Sequence, residues 1–178
     1  QIVRDNDVNQ NGRLSSGKGL RTLVEALRKV PTLKFRIVGS GPLRKELEAL
    51  AGELDNVEFT GYMTGEALHR MVADALFAVV PSECYENSPL AVYESFALGT
   101  PVVGSTIGGI PELVTDGETG LHFPTGNADA LAEAMGEMSA DGRRATEMGR
   151  AARRRVETEY GPARHYELIP SIYERVIQ

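Results

Sequence analysis

Short apolar runs, each closed by a Gly/Pro turn and followed by a helix-period stretch, limit what this chain can fold into. Phe35-Arg36-Ile37-Val38, Val57-Glu58-Phe59-Thr60, Leu76-Phe77-Ala78-Val79-Val80, Pro101-Val102-Val103-Gly104 and Leu121-His122-Phe123 read as strands. Apolar spacing predicts helices over 19–29, 42–54, 64–73, 89–98 and 129–138, then two more over 141–160 and 162–176. Strands alternating with such helices are the mark of βαβ units and a parallel sheet. Most of the runs are apolar throughout, as suits strands covered on both faces. The expected fold is α/β: a Rossmann-like, three-layer α/β/α arrangement on a parallel sheet, forming a single domain over 1–178. The residues before Gly12 break the pattern. They read Asp5-Asn6-Asp7-Val8-Asn9-Gln10-Asn11, and burying that many polar side chains is costly. The expectation is therefore that the opening strand is absent, or that this end is altered or disordered.

Composition narrows the function classes. The 178 residues include 19 Lys+Arg against 25 Asp+Glu, a net charge of −6, and 42% are hydrophobic. That length buries roughly 70% of the surface an unfolded chain exposes, and the apolar share argues for a globular fold and against disorder. The acidic balance argues against nucleic-acid binding, which needs a basic face. The lone cysteine, Cys84, cannot form an intrachain disulfide, and three scattered histidines offer no metal-ligand spacing. No metal or cofactor site is expected. The longest apolar run, 75–81, falls far short of the ~20 residues that cross a bilayer. With no charged-then-apolar leader at the start, the reading is a soluble, cytoplasmic domain.

In open parallel sheets, ligands bind at the carboxyl ends of the strands, and four loops there have the composition for it. The first, Gly12-Arg13-Leu14-Ser15-Ser16-Gly17-Lys18-Gly19, nearly spells a nucleotide-hydrolase P-loop. Gly19 has no hydroxyl for magnesium, however, and no apolar strand precedes the loop. What remains is a cation pair, Arg13 and Lys18, able to meet one diphosphate; two solvated charges on a turn is the alternative. The second, Gly39-Ser40-Gly41, invites a dinucleotide fingerprint, but Arg44 occupies the third glycine position and Glu58 lies inside a strand. It reads as a tight turn whose amides can lie near a ligand.

The third loop, Glu86-Asn87-Ser88-Pro89-Leu90-Ala91-Val92-Tyr93-Glu94, is the most informative. Ser88 suits an N-cap and Pro89 a first helical position. The amides of Leu90 and Ala91 then lack intrahelical partners at the positive end of a helix, which favours an anion. Glu94 is a single carboxylate in an apolar helix, and Glu86 precedes the same helix from the loop. Both suit polyhydroxy ligands, with surface exposure as the alternative. In the fourth, Gly108-Gly109-Ile110-Pro111-Glu112, the paired glycines fit either close backbone approach to a ligand or a flexible turn.

Taken in order, Gly12-Arg13-Leu14 with Lys18-Gly19, the turn at 39–42, Phe59-Thr60-Gly61-Tyr62, Pro81-Ser82-Glu83, Glu86 and Glu94 with seven residues between them, and Gly108-Gly109-Ile110-Pro111-Glu112 resemble the carboxyl-terminal, donor-binding domain of retaining glycosyltransferases of family 4, which have the GT-B fold. The resemblance runs from Gly12 to the last residue. It implies that Arg13 and Lys18 neutralise the diphosphate of a UDP-, GDP- or ADP-sugar donor. It implies that Glu86 holds sugar hydroxyls, helped by amides around Asn87 and Ser88, and that Glu94 takes the ribose. Leu90 and Ala91 would offer amides to the phosphate, and Gly61, Tyr62 and Met63 would flank the base, beside the turn of Gly39 and Gly41. The family carries an apolar strand before Gly12 and often an acidic residue at the position of Gly17, and this chain departs at both. A GT-B enzyme also has a second domain that takes the acceptor, so the amino-terminal acceptor-binding half is absent from a chain of this size. Such a domain is expected to bind donor without turnover. A nucleotide-sugar binding module and a same-fold sugar-nucleotide epimerase or phosphorylase are the alternatives.

Two further features stand outside the motifs. Arg143, Arg144, Arg150, Arg153, Arg154 and Arg155 crowd one predicted helix, interleaved with Glu147 and Glu157. A solvated amphipathic face is expected, with peripheral association to an anionic membrane as the alternative. Tyr166, Ile169, Ile172, Tyr173 and Val176 form a helical stripe, which the resemblance would direct partly towards the absent domain. Cys84, with no histidine near it in sequence, reads as an incidental thiol.

Overall fold

The computed structural model describes residues 7–52 and 54–177. Six strands form one parallel sheet: β1 (Asp7–Asn11), β2 (Lys34–Val38), β3 (Val57–Gly61), β4 (Phe77–Val80), β5 (Val102–Ser105) and β6 (Gly120–Phe123), in the order β3-β2-β1-β4-β5-β6. The helices are α1 (Leu20–Leu27), α2 (Arg44–Ala51), α3 (Gly65–Asp74), α4 (Leu90–Ala97), α5 (Ile110–Leu113), α6 (Ala128–Ala140), α7 (Gly142–Glu159) and α8 (Pro162–Ile177). The expected three-layer α/β fold is present. The strand order reverses between β1 and β4, where the loops leaving adjacent strands diverge and open a crevice.

The apolar runs show how the sheet is covered. Phe77 and Val79 of β4 join Phe35, Ile37 and Val103 in a core against α1, α2 and α6, while Ala78, Val80 and Val102 pack with Val92 and Phe96 of α4 and Ile110 of α5. Successive residues of a strand point to opposite faces, so a strand buried on both sides must be apolar at every position. Helix α7 reaches both cores, with Ala145 and Met148 in the first and Ala152 in the second.

The expectation for the amino-terminal segment is overturned. Asp7-Val8-Asn9-Gln10-Asn11 is β1, parallel to β2 in the register Asp7↔Lys34 through Asn11↔Val38 and to β4 through Val8↔Phe77 and Asn9↔Ala78; Asp5 and Asn6 lie outside the described residues. Ladder bonds use main-chain groups, which every residue here carries whatever its side chain. A strand lying between β2 and β4 satisfies the facing edges of both.

Helix α7 also closes the far end of α4. The Arg153 guanidinium donates to the Ala97 carbonyl, in the last turn of α4, where a cation complements the helix dipole. Gly149 lets the two elements meet, since a Cβ there would lie 2.1 Å from the Gly99 carbonyl oxygen and 3.2 Å from Pro101. The substitution Gly149→Ala is accordingly expected to destabilise by about 1–3 kcal/mol. Gly136→Ala on α6, where an added Cβ meets nothing within 4 Å, should stabilise by up to about 1 kcal/mol. Thermal unfolding of the two variants checks the opposed signs.

Candidate functional site

The loop leaving β1 is laced onto its neighbours by main-chain bonds. Gly12 N–H donates to the Val38 carbonyl (3.1 Å) and Leu14 N–H to that of Ser40 (3.0 Å), while Glu83 N–H donates to the Gly17 carbonyl (2.7 Å). Such contact requires residues without side chains. A Cβ on Gly39 would fall 1.9 Å from the Gly12 carbonyl oxygen. Gly19, the N-cap of α1 with φ 64°, is more constrained still, because a Cβ there would lie 1.7 Å from the Pro81 carbonyl oxygen. The position at which a P-loop carries its hydroxyl is thus filled by the β4 loop, which disposes of the nucleotide-hydrolase alternative. Thr22 on α1 adds a side-chain tie, donating to Glu83 Oε1 at 2.5 Å.

The β4–α4 loop places Glu86. Lys18 Nζ lies 3.0 Å from Glu86 Oε1, and Ser82 Oγ donates to the same oxygen at 2.6 Å. Ser82 is 1% exposed. The Gly108-Gly109 pair supports this loop from behind. A Cβ on Gly108, where φ is +57°, would lie 2.7 Å from both Glu86 N and Glu86 O, and Gly109 N–H donates to the Glu86 carbonyl at 2.7 Å. The close approach that these glycines permit is therefore to the main chain of Glu86.

Helix α4 begins one residue later than the cap motif suggests. Leu90 is its first residue and Pro89 its N-cap, with no side-chain capping bond. Pro89 has an extended, non-helical ψ of 95° and takes the cap position, which leaves Ser88 one residue outside it. The first amides, those of Leu90 and Ala91, lie in the turn that has no intrahelical acceptors. Glu94, one turn on, is exposed, which replaces the expectation of a carboxylate enclosed in an apolar helix.

These elements surround one cavity of about 830 Å³ at the point where the strand order reverses. Gly12, Arg13, Lys18, Gly39, Gly41, Tyr62, Met63, Glu86, Ser88, Leu90, Ala91 and Glu94 line it. Of the donor-site residues singled out in the sequence, Gly61, Asn87 and Pro89 are not in the lining, and neither is the Gly108-Gly109 pair. Gly61 instead accepts the Gly39 N–H at 2.7 Å, fixing the neighbouring turn. Ser40, Thr64, Leu68 and Ser82 line the cavity without having been singled out. Ser82 lay within a quoted motif, and only its distance to Glu86 reveals its use. Among the described residues no group of three His, Cys, Asp or Glu side chains is placed to hold a metal.

The arginine-rich helix divides. Arg143, Arg144, Arg150, Arg153 and Arg154 are exposed, as expected of a solvated face, but Arg155 is half-buried. It donates to the carbonyls of Leu113 (2.7 Å) and Glu112 (3.1 Å) and to Thr115 Oγ1 (2.8 Å), tying α7 to the end of α5. Its guanidinium lies 5.8 Å from the Tyr160 ring centroid, and that ring meets Tyr93 of α4 edge-on at 5.1 Å. Burial pushes the Tyr160 phenol above its ordinary range, against the opposing pull of Arg155. Burial opposes the Arg155 charge most strongly, yet its hydrogen bond to Glu159 and the surrounding charges leave its pKa raised. On α8, Tyr166 and Tyr173 are exposed and Ile169 is half-buried, while the side chains of Ile172 and Val176 lie outside the described residues.

Residues 3–155 match the family model of glycosyl transferases group 1. The chain belongs to this family. A relative of this chain is the GDP-mannose-dependent alpha-(1-6)-phosphatidylinositol monomannoside mannosyltransferase of Mycolicibacterium smegmatis, 37% identical over 145 residues, covering 75% of this chain and 37% of the relative. Among solved structures, sucrose-phosphate synthase from Thermosynechococcus elongatus has a TM-score of 0.84 at 31% identity, over 96% of this chain and 45% of that one. Anabaena HepE, in complex with UDP and glucose, shares the fold with a TM-score of 0.84 at 22% identity, over 97% of this chain and 49% of that one. The chain spans less than half the length of the curated relatives it matches. No helix among the described residues is long and apolar enough to cross a membrane.

The glycine at the loop junction gives the sharpest check on this geometry. Gly19→Ser completes the P-loop pattern on paper, yet it puts a side chain into the Pro81 carbonyl. It should cost more than about 2 kcal/mol in thermal or denaturant unfolding and confer no nucleotide hydrolysis.

Proposed function

We propose that this chain is the donor-binding domain of a retaining glycosyltransferase that moves a sugar from a nucleoside diphosphate to an acceptor. The observation that carries the reading is that two cations, a helix N-terminus and two carboxylates, drawn from three separate loops and helix starts, open into one cavity. Cations and unpaired amides suit a diphosphate, and carboxylates suit hydroxyls. Arg13 and Lys18 neutralise the diphosphate together with the amides of Leu90 and Ala91. Glu86 accepts hydrogen bonds from hydroxyls of the sugar, and Glu94 accepts them from the ribose. Tyr62 and Met63 flank the base, with Gly61 fixing the turn behind them; Gly12, Gly39 and Gly41 share that lining, and the amide of Ser88 lies beside the sugar.

Charge grows on the diphosphate as the glycosidic bond breaks. Donors already aimed at that group stabilise the transition state without reorganising. The cation pair does the work a metal does elsewhere, so donor binding is independent of metal. The acceptor binds a second domain, and this chain alone holds donor without turnover. That division is supported by the GT-B likeness and by curated relatives more than twice the matched length. A UDP- or GDP-sugar is the favoured donor class, in keeping with the UDP named for one structural neighbour and the GDP-mannose named for one relative. The setting is cytoplasmic, with the exposed arginines of α7 able to touch an anionic membrane surface.

Calorimetric titration with UDP, GDP and ADP, with and without magnesium, tests the reading. At least one nucleotide should bind equally well in either condition, and at 100 times its Kd it should stabilise the fold by about 2.7 kcal/mol. Lys18→Ala should weaken binding of the matching nucleotide sugar roughly 10- to 100-fold, the loss of one charge-assisted bond. A folded sample that binds none of the three contradicts the proposal.

A further inference from the structure

We infer that Glu86 makes this site favour a complete nucleotide sugar over a bare nucleoside diphosphate, by competing with the diphosphate for Lys18. The inference rests on the donor-site reading above. Its basis is the shared oxygen: Lys18 Nζ is 3.0 Å from Glu86 Oε1, with the two side chains 35% and 18% exposed. The Ser82 hydroxyl holds that same oxygen at 2.6 Å. Ser82 is itself anchored, its carbonyl accepting from the fully buried Ser105 hydroxyl at 2.7 Å. The carboxylate is therefore tethered to a buried floor, whereas Lys18 is a flexible stem on a glycine-flanked loop. One cation is committed to an anion that cannot follow it.

A bare diphosphate meets this arrangement at a disadvantage. If Lys18 stays with Glu86, the diphosphate gains little from the cation and faces a nearby negative charge. If Lys18 turns to the diphosphate, Glu86 is left half-buried with the Ser82 hydroxyl alone. A complete donor avoids both, because its sugar hydroxyls donate to Glu86 as Lys18 departs. The nucleoside diphosphate left after transfer has no such hydroxyls and meets the carboxylate again, which favours its release. The ion pair thus ties recognition of the sugar to recognition of the diphosphate.

The test is calorimetric titration of wild type and Glu86→Gln with UDP and UDP-glucose, and with GDP and GDP-mannose. Circular dichroism and thermal unfolding monitor the fold, and Glu86→Ala serves as a second variant. The expected result is that the bare diphosphate binds the variants about fivefold more tightly, the worth of one partly exposed ion pair. The matching nucleotide sugar gains nothing or weakens. Bare-diphosphate binding that is unchanged or weaker in folded variants overturns the inference and leaves Glu86 as a support for Lys18, while the donor site stands. A wild type that binds none of the four ligands overturns the donor-site reading and this inference with it.

Discussion

The loop after β1 and the loop after β4 must touch, and the site depends on that contact. They leave neighbouring strands at the one place where the sheet reverses its order, so nothing in the topology forces them together. What joins them is local chemistry: Gly19 against the Pro81 carbonyl, the Glu83 amide on the Gly17 carbonyl, and Thr22 on the Glu83 carboxylate. With the loops so joined, Lys18 Nζ lies 3.0 Å from Glu86 Oε1. The anchoring continues outward, with Gly108 and Gly109 behind Glu86 and Arg155 holding the far end of α5 to α7. Side chains on flexible loops thereby acquire the fixed spacing that a binding site needs.

Charge at the site is arranged in opposition. The open start of α4 favours anions, Arg13 and Lys18 add positive charge, and Glu86 and Glu94 set negative charge across the same 830 Å³ space. A ligand with an anionic centre and hydroxyl-rich groups on either side of it satisfies both sets. A simple anion or a simple sugar satisfies one and leaves the other exposed to repulsion or desolvation.

Much of this was legible in the residues, for identifiable reasons. Apolar runs such as 76–80 announced strands covered on both faces, and the glycine-rich turns marked where loops approach each other. Twelve of the fifteen donor-site residues singled out from the sequence line the cavity, because glycine-rich turns let the loops of neighbouring strands pack against one another. The failures share a cause. The polar β1 escaped because its pairing is a main-chain matter, and Ser82 and Arg155 escaped because their partners lie elsewhere in the fold. The cap of α4 shifted by one residue because a proline can occupy either side of the boundary.

The central claim is that the first amides of α4 and the cation loop share one diphosphate. Amide chemical shifts of the ¹⁵N-labelled chain, followed while a nucleoside diphosphate and then the corresponding bare nucleoside are added, measure this residue by residue. The account predicts large, saturable shifts at Leu90, Ala91, Arg13 and Lys18 with the diphosphate, and little movement there with the nucleoside. Equal responses to both ligands, or diphosphate-induced shifts that bypass Leu90 and Ala91, would contradict it.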